Sequence, residues 1–289
     1  MARGLDHIVH AVHDLEAAAE LYRRLGFQVG ARNIHPRAWG TQNHVVQLPG
    51  TYIELLALAD TSGMAPHGPG FFSFGAFNRD FLKRGQGLSM LVLEGQGAPD
   101  AAAFRSAGVG DFELFEFERE SRDPDGAAIK LAFALAFAAD PLASDIGFFS
   151  IRHRYPDRFW NPAFQDHPNT AAAVAGIVMV ADNPGDHRMF LETFTGQRAV
   201  LATSAVLSIK TPRGEIHVMQ PAAFRDRFEV DPPTTEHGGR LAALRFSLRD
   251  IDGLEARLRA ESIPGSSDTG RIVVGPDRAL GAALVFERN

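Results

Sequence analysis

The sequence predicts an α+β fold built from βαβββ modules in tandem, two modules to a domain. Three observations carry this. A strand-like run followed by a helix-like run begins near residues 5, 88, 174 and 241. Three of the four helix starts carry a short polar residue (Asp14, Asp182 or Asn183, and Asp250) able to accept hydrogen bonds from the free N–H groups of a first turn. The spacing, roughly 60 to 90 residues, is too long for a solenoid repeat, so the units are read as modules paired into domains.

In the first module, residues 5–12 alternate as a strand. Leu15, Ala18, Tyr22 and Leu25 then share one helix face, and Gly26 ends the helix. Strands follow at 27–32, 43–48 and 52–58, the last two joined by a Pro49-Gly50 turn. The second module reads as a strand at 88–93, a helix at 99–107 closed by Gly108, and strands at 111–120, 127–137 and 148–154. Pro124-Asp-Gly126 is read as an ordinary hairpin turn within it. The third has a strand at 174–180, a helix with Met189, Phe190 and Phe194 on its apolar side, and strands at 200–210 and 215–220. The fourth has a strand at 241–248, a helix with Ile251, Leu254 and Leu258 inward, and strands at 271–274 and 282–286.

The Pro- and Asn-containing stretch 161–170 separates modules two and three, giving domains at 1–165 and 166–289. Two segments interrupt the pattern. Residues 61–87 hold Phe71, Phe72, Phe74, Phe77 and Phe81 among glycines and prolines, and a loop of that length suggests a lid over a binding site. A short helix is expected within it at 77–84. Residues 224–239 read as an exposed excursion.

Composition narrows the function. The 289 residues are 45% hydrophobic and carry a net charge of −6, enough apolar material for a sizeable core but no basic run to hold nucleic acid. The absence of cysteine excludes disulfides, thiolate metal sites and a cysteine nucleophile. No apolar run is long enough to span a membrane, and the N-terminus has no signal core, so a cytoplasmic protein is expected. No serine sits in a nucleophile elbow. Gly68-Pro-Gly lacks the strand–loop–helix setting and the lysine of a phosphate cradle, so no nucleotide cofactor is expected. The eleven histidines are more suggestive, because His7, His10, His13, His35, His44 and His67 all fall in the first quarter.

These residues carry a resemblance. Leu5-Asp-His-Ile-Val-His-Ala-Val-His-Asp-Leu, followed by a helix with Leu21-Tyr22 that ends in Leu25-Gly26-Phe27, resembles the opening module of the vicinal-oxygen-chelate superfamily. That superfamily includes glyoxalase I, bleomycin-resistance proteins, methylmalonyl-CoA epimerase and extradiol dioxygenases. Gly40-Thr-Gln-Asn43 leading to Tyr52-Ile-Glu54-Leu, and His153-Arg-Tyr-Pro-Asp-Arg-Phe-Trp160 with His167-Pro-Asn169, are similar to its glyoxalase-like-domain branch. The resemblance implies two domains with curled, cup-shaped mixed sheets.

It also implies a divalent metal (iron, manganese, zinc or nickel) held by a first-strand residue, here His7, and a last-strand residue, here Glu54, which is also the candidate catalytic group. Alternation supports both, since His7 shares a strand face with Leu5, Val9 and Ala11, and Glu54 shares one with Tyr52 and Leu56. A carboxylate in an apolar strand is costly unless it is paired or metal-bound. In the second module the first-strand position falls near Ser89, a poor ligand. The last-strand position falls on His153 or Arg152, according to register. His153 would complete two histidines and a carboxylate, whereas Arg152 inward would exclude metal.

Against these readings stand plainer ones. His7 and Glu54 could form a buried hydrogen-bonded pair. His10, His13 and His44 read as structural, and His167 either lines the ligand site or fastens a turn to backbone. Trp39, Asn43, Phe71, Phe74, Phe77, Arg152 and His167 are the candidate ligand-binding residues. Arg32, Arg37, Arg79 and Arg152 could each pair an anion, but no spacing singles one out. In the second half only His217 is a ligand-type residue at a ligand-type position, so that domain reads as degenerate. A conventional catechol dioxygenase is disfavoured, because such two-domain enzymes carry iron in the C-terminal domain. Two functions remain open. One is a metal-dependent isomerase, lyase or dioxygenase acting on a small oxygen-rich metabolite; the other is a metal-free protein that sequesters a small molecule. The expected partner is that small molecule, with no nucleic acid or membrane. A homodimer is compatible with the pattern, which does not specify the number of subunits.

Overall fold

The computed structural model describes residues 1–122, 128–268 and 270–289. It contains two eight-stranded mixed sheets. The first holds β1 (Leu5–Ala11), β2 (Asn33–Ile34), β3 (Thr41–Leu48), β4 (Thr51–Leu58), β5 (Gly87–Glu94), β6 (Phe115–Arg122), β7 (Ala128–Ala138) and β8 (Gly147–His153), in the order β2-β3-β4-β1-β5-β8-β7-β6. The second holds β9 (Ala171–Val180), β10 (Val200–Ala202), β11 (Val206–Lys210), β12 (Glu215–Met219), β13 (Arg240–Leu248), β14 (Ser266–Asp268), β15 (Arg271–Val274) and β16 (Ala283–Arg288), in the order β10-β11-β12-β9-β13-β16-β15-β14. The second sheet repeats the strand order of the first. In each, an antiparallel pair joins two modules at the centre (β1 with β5, β9 with β13), and each module closes with its first and last strands parallel. The tandem α+β fold is the observed one.

The helices are α1 (Leu15–Arg24), α2 (Phe74–Leu82), α3 (Ala98–Ser106), α4 (Pro156–Phe159), α5 (Arg188–Thr195), α6 (Pro221–Phe228) and α7 (Ile251–Ala260). Asp14 accepts from the backbone N–H groups of Glu16 and Ala17, and Asp250 from that of Gly253. Gly26 takes the left-handed conformation (φ +83°) that ends α1. One continuous core joins the backs of both sheets with the apolar sides of α1, α3, α5 and α7. Within it Phe27 meets Phe246 at 4.9 Å and Phe104 meets Phe194 at 5.8 Å. The concave face of the first sheet carries a separate, mostly aromatic cluster: Trp39, Tyr52, Phe74, Phe133, Phe137, Phe149 and Phe159 with their aliphatic neighbours.

Several local expectations change. The strand expected at 27–32 is a two-residue strand at Asn33–Ile34, and the run 200–210 is a tight hairpin in which the Thr203 N–H donates to Val206 O. Residues 224–239 are no mere excursion, because α6 buries Phe224 and Phe228 against the second sheet. Met189 is exposed, and Phe190, Leu191 and Phe194 form the buried side of α5. The phenylalanine-rich segment contains α2, capped by the Ser73 hydroxyl and packed as a wall of the first cup. A Cβ at Gly75 would lie 1.9 Å from Trp39 O, so only glycine lets this helix approach so closely. The turn read at Pro124-Asp-Gly126 lies outside the described residues. Among the described residues no helix is long and apolar enough to cross a membrane.

Candidate active site

The concave face of the first sheet holds a small cavity of about 40 Å³, room for a water or two. His7, His35, Trp39, Asn43, Tyr52 and Glu54 line it together with Arg119 and Phe74, Phe117, Phe133, Phe149 and Phe159. β1 and β4 run parallel in a register that pairs His7 with Tyr52 and Val9 with Glu54. Alternation then turns His7, Tyr52 and Glu54 into the cup. The His7 and Tyr52 rings stack at 4.2 Å, and Phe149 meets the His7 ring edge-on at 5.6 Å.

His7 Nε2 and Glu54 Oε2 face each other at 3.7 Å, both side chains buried. The other heteroatom of each is held. His7 Nδ1 lies 2.7 Å from Asp6 Oδ1. Burial would raise the Asp6 carboxyl, but the charges and hydrogen bonds of His153 and His7 outweigh it and hold the group well below the usual carboxylate range. An ionised Asp6 can only accept, so His7 donates from Nδ1 and neutral His7 keeps its lone pair on Nε2. Glu54 Oε1 accepts a 2.5 Å bond from Asn43 Nδ2, whose other hydrogen goes to His35 Nε2 at 3.0 Å. His35 donates from Nδ1 to Thr41 Oγ1 at 2.8 Å. Burial lowers its pKa, with Glu54 acting in the opposite sense, and keeps the ring neutral. Burial, reinforced by the charges of Asp6 and Glu54, pushes the Tyr52 phenol well above its ordinary value, so it remains a donor.

Of the candidate residues, His7, Trp39, Asn43, Phe74 and Glu54 meet at this cavity. Phe71 packs on Phe115 and Phe77 on Phe72, away from its lining. Arg152 is exposed on the far face of β8. His167 donates from Nε2 to Gln47 O at 2.7 Å and accepts from the Gln28 N–H at 3.0 Å, which makes it a fastener between loops. His153 shares the inward face of β8, but its Nε2 donates to Asp6 Oδ2 at 3.1 Å instead of approaching Glu54. Ser89 bonds Asn78 Oδ1 of α2.

The three-ligand metal set of His7, Glu54 and His153 is therefore not brought together. The strand positions level with His7 in the second module are Val92 and Phe149, which offer no donor atom. His35 stands 3.5 Å from Glu54 Oε1, yet both its ring nitrogens are engaged by Thr41 and Asn43. Among the described residues no group of three His, Cys, Asp or Glu side chains is arranged to hold a metal ion. The donor set does not fit a protein-held metal.

Two participants escaped the sequence reading. Asp6 should face away from His7 by alternation. However, the β1–β5 pairing slips between Leu5 and His7, and this bulge turns Asp6 into the cup. Arg119 arrives on β6, following Phe115 and Phe117 on the inward face.

Fold and cup together are consistent with vicinal-oxygen-chelate structures. Solved structures share the architecture over nearly the whole chain. A hypothetical protein from Staphylococcus aureus aligns at 12% identity over 99% of this chain and 100% of its own, with a TM-score of 0.69. A mutant of 4-hydroxymandelate synthase from Streptomyces coelicolor aligns at 13% identity over 99% of this chain and 92% of its own (TM-score 0.56). A xylose isomerase-like TIM barrel/4-hydroxyphenylpyruvate dioxygenase fusion protein aligns at 12% identity over 100% of this chain and 49% of its own (TM-score 0.51). Identities this low establish the fold alone. No curated protein sequence matches. Residues 5–195, more than half of the chain, match the family described as the glyoxalase-like domain, and the chain belongs to that family.

Proposed function

We propose that this chain is an enzyme that moves a proton on a small carbonyl compound, with Glu54 Oε2 and the bare His7 Nε2 as its two proton acceptors. One observation carries the reading. The two atoms converge at 3.7 Å while Asp6 and Asn43 occupy the partner atoms, so each presents one fixed site to whatever enters the cavity. Either acceptor can remove a proton from the carbon beside a carbonyl and, once protonated, return that same proton to the neighbouring position. The Tyr52 hydroxyl supplies a donor for the oxygen that gains charge. The aromatic walls exclude water and strengthen each of these interactions.

The test is solvent deuterium exchange. Short aldehydes, ketones and 2-oxo acids are incubated with protein in D₂O and followed by proton NMR. Exchange in at least one compound, lowered about 10²-fold or more by Glu54→Gln and by His7→Gln, is the expected result. Binding without exchange would favour a sequestering protein instead. Exchange indifferent to both substitutions would overturn the assignment.

A further inference from the structure

Outside the inner cavity lies an open vestibule of about 300 Å³, lined by Gln28, Asn33, Gln47, Arg119, Arg158 and Asn161 among others. Val45, Arg119 and Phe159 line both spaces, so the two compartments adjoin at the Arg119 guanidinium. Burial lowers the pKa of Arg119 while Tyr52 and Glu54 act in the opposite sense, and a guanidinium remains charged throughout the working range. Its Nη1 donates to Asn33 Oδ1 at 3.2 Å. Among the described residues no carboxylate lies within salt-bridge reach of it, so a cation with N–H groups to spare stands where a ligand must pass.

We propose that Arg119 binds the carboxylate of a short 2-oxo or 2-hydroxy acid, leaving the oxygen-bearing carbon inside the inner cavity. The assignment of the inner end rests on the proton-transfer reading; the carboxylate site does not. Three features point to this class. The inner cavity accommodates only a few heavy atoms, so any larger ligand extends past Arg119 into the vestibule. A planar guanidinium fork pairs a carboxylate through two parallel hydrogen bonds. Finally, Arg119 is tied to the base. Arg119 donates to Asn33, Asn33 Nδ2 donates to Asn43 Oδ1 at 3.1 Å, and Asn43 donates to Glu54. Three consecutive hydrogen bonds thus set the spacing between the anion anchor and the reacting centre. Arg158 on the vestibule wall gives its Nη1 to Lys130 O and lies over the Tyr155 ring, so the cation that lines both spaces is Arg119.

The probes are pyruvate, 2-oxobutyrate, lactate and 2-hydroxybutyrate, each titrated beside its uncharged amide and read by tryptophan fluorescence and ligand-observed NMR. Wild-type protein should bind at least one acid about tenfold or more tighter than its amide. Arg119→Met should remove the preference, and Arg119→Lys should keep part of it. His7→Gln should retain the preference while losing deuterium exchange, which separates failure of the anion site from failure of the proton-transfer reading. Equal binding of acids and amides by wild type, a preference that survives Arg119→Met, or no binding of any acid overturns the proposal.

Discussion

Asp6 and His7 are consecutive residues of one strand, yet their side chains share one face and a 2.7 Å hydrogen bond. The bulge between Leu5 and His7 makes this possible, since a regular strand would place them on opposite faces. Asp6 also accepts from His153, so one carboxylate orients two imidazoles. Asp6→Asn removes the charge that confines the His7 proton to Nδ1. Deuterium exchange should fall about 10–100-fold, and nitrogen NMR should show His7 as a mixture of tautomers while the far-ultraviolet circular dichroism is retained.

Acid should unfold this protein early. Burial lowers His10 to about 4, although its bond to Leu280 O acts in the opposite sense, and burial together with Arg245 lowers His217 to about 4. Below pH 6.5 the unfolded chain takes up protons that the fold refuses until about pH 4. Stability is therefore full above 6.5 and declines between 6.5 and 4. His10 alone contributes about 3 kcal/mol to that decline. Urea unfolding at a series of pH values checks it, and His10→Gln should flatten the slope.

The second cup holds a salt-bridge plug where the first holds its cavity. Gly176 stands in the strand position of His7, and His217 in that of Glu54. Arg245, level with Gly176, reaches Glu287 Oε2 at 2.7 Å, Glu215 Oε2 at 3.2 Å and His217 Nδ1 at 3.3 Å. Arg245→Met leaves Glu287 with Arg271 alone and Glu215 with Lys210 alone, and should cost about 1–3 kcal/mol in urea unfolding. Deuterium exchange by the remaining folded protein should be unchanged, because the first cup keeps all its groups.

Much of this was legible in the sequence. Alternation in β1 and β4 and the resemblance of the first module placed His7, Asn43 and Glu54 together, because parallel pairing of first and last strands brings those faces to one cavity. His153 was read on the correct face, but the residue level with His7 through Val92 is Phe149, and the His153 ring turns to Asp6 Oδ2 at 3.1 Å instead of to Glu54. Asp6 was hidden because a bulge inverts the period-two rule and leaves no mark in composition. Arg119 was hidden because it sits on the edge strand β6, whose position over the cup depends on register across β7 and β8. No local pattern encodes that register.

The central claim is that His7 presents a bare Nε2 beside Glu54, its proton fixed on Nδ1 by Asp6. Long-range nitrogen–proton correlation NMR on histidine-labelled protein reads this directly, with His7→Gln assigning the signal. The account predicts that the neutral ring carries its proton on Nδ1 and has a bare, metal-free Nε2. A proton resident on Nε2 of a neutral ring, or an Nε2 shift that changes on treatment with a metal chelator, would contradict it.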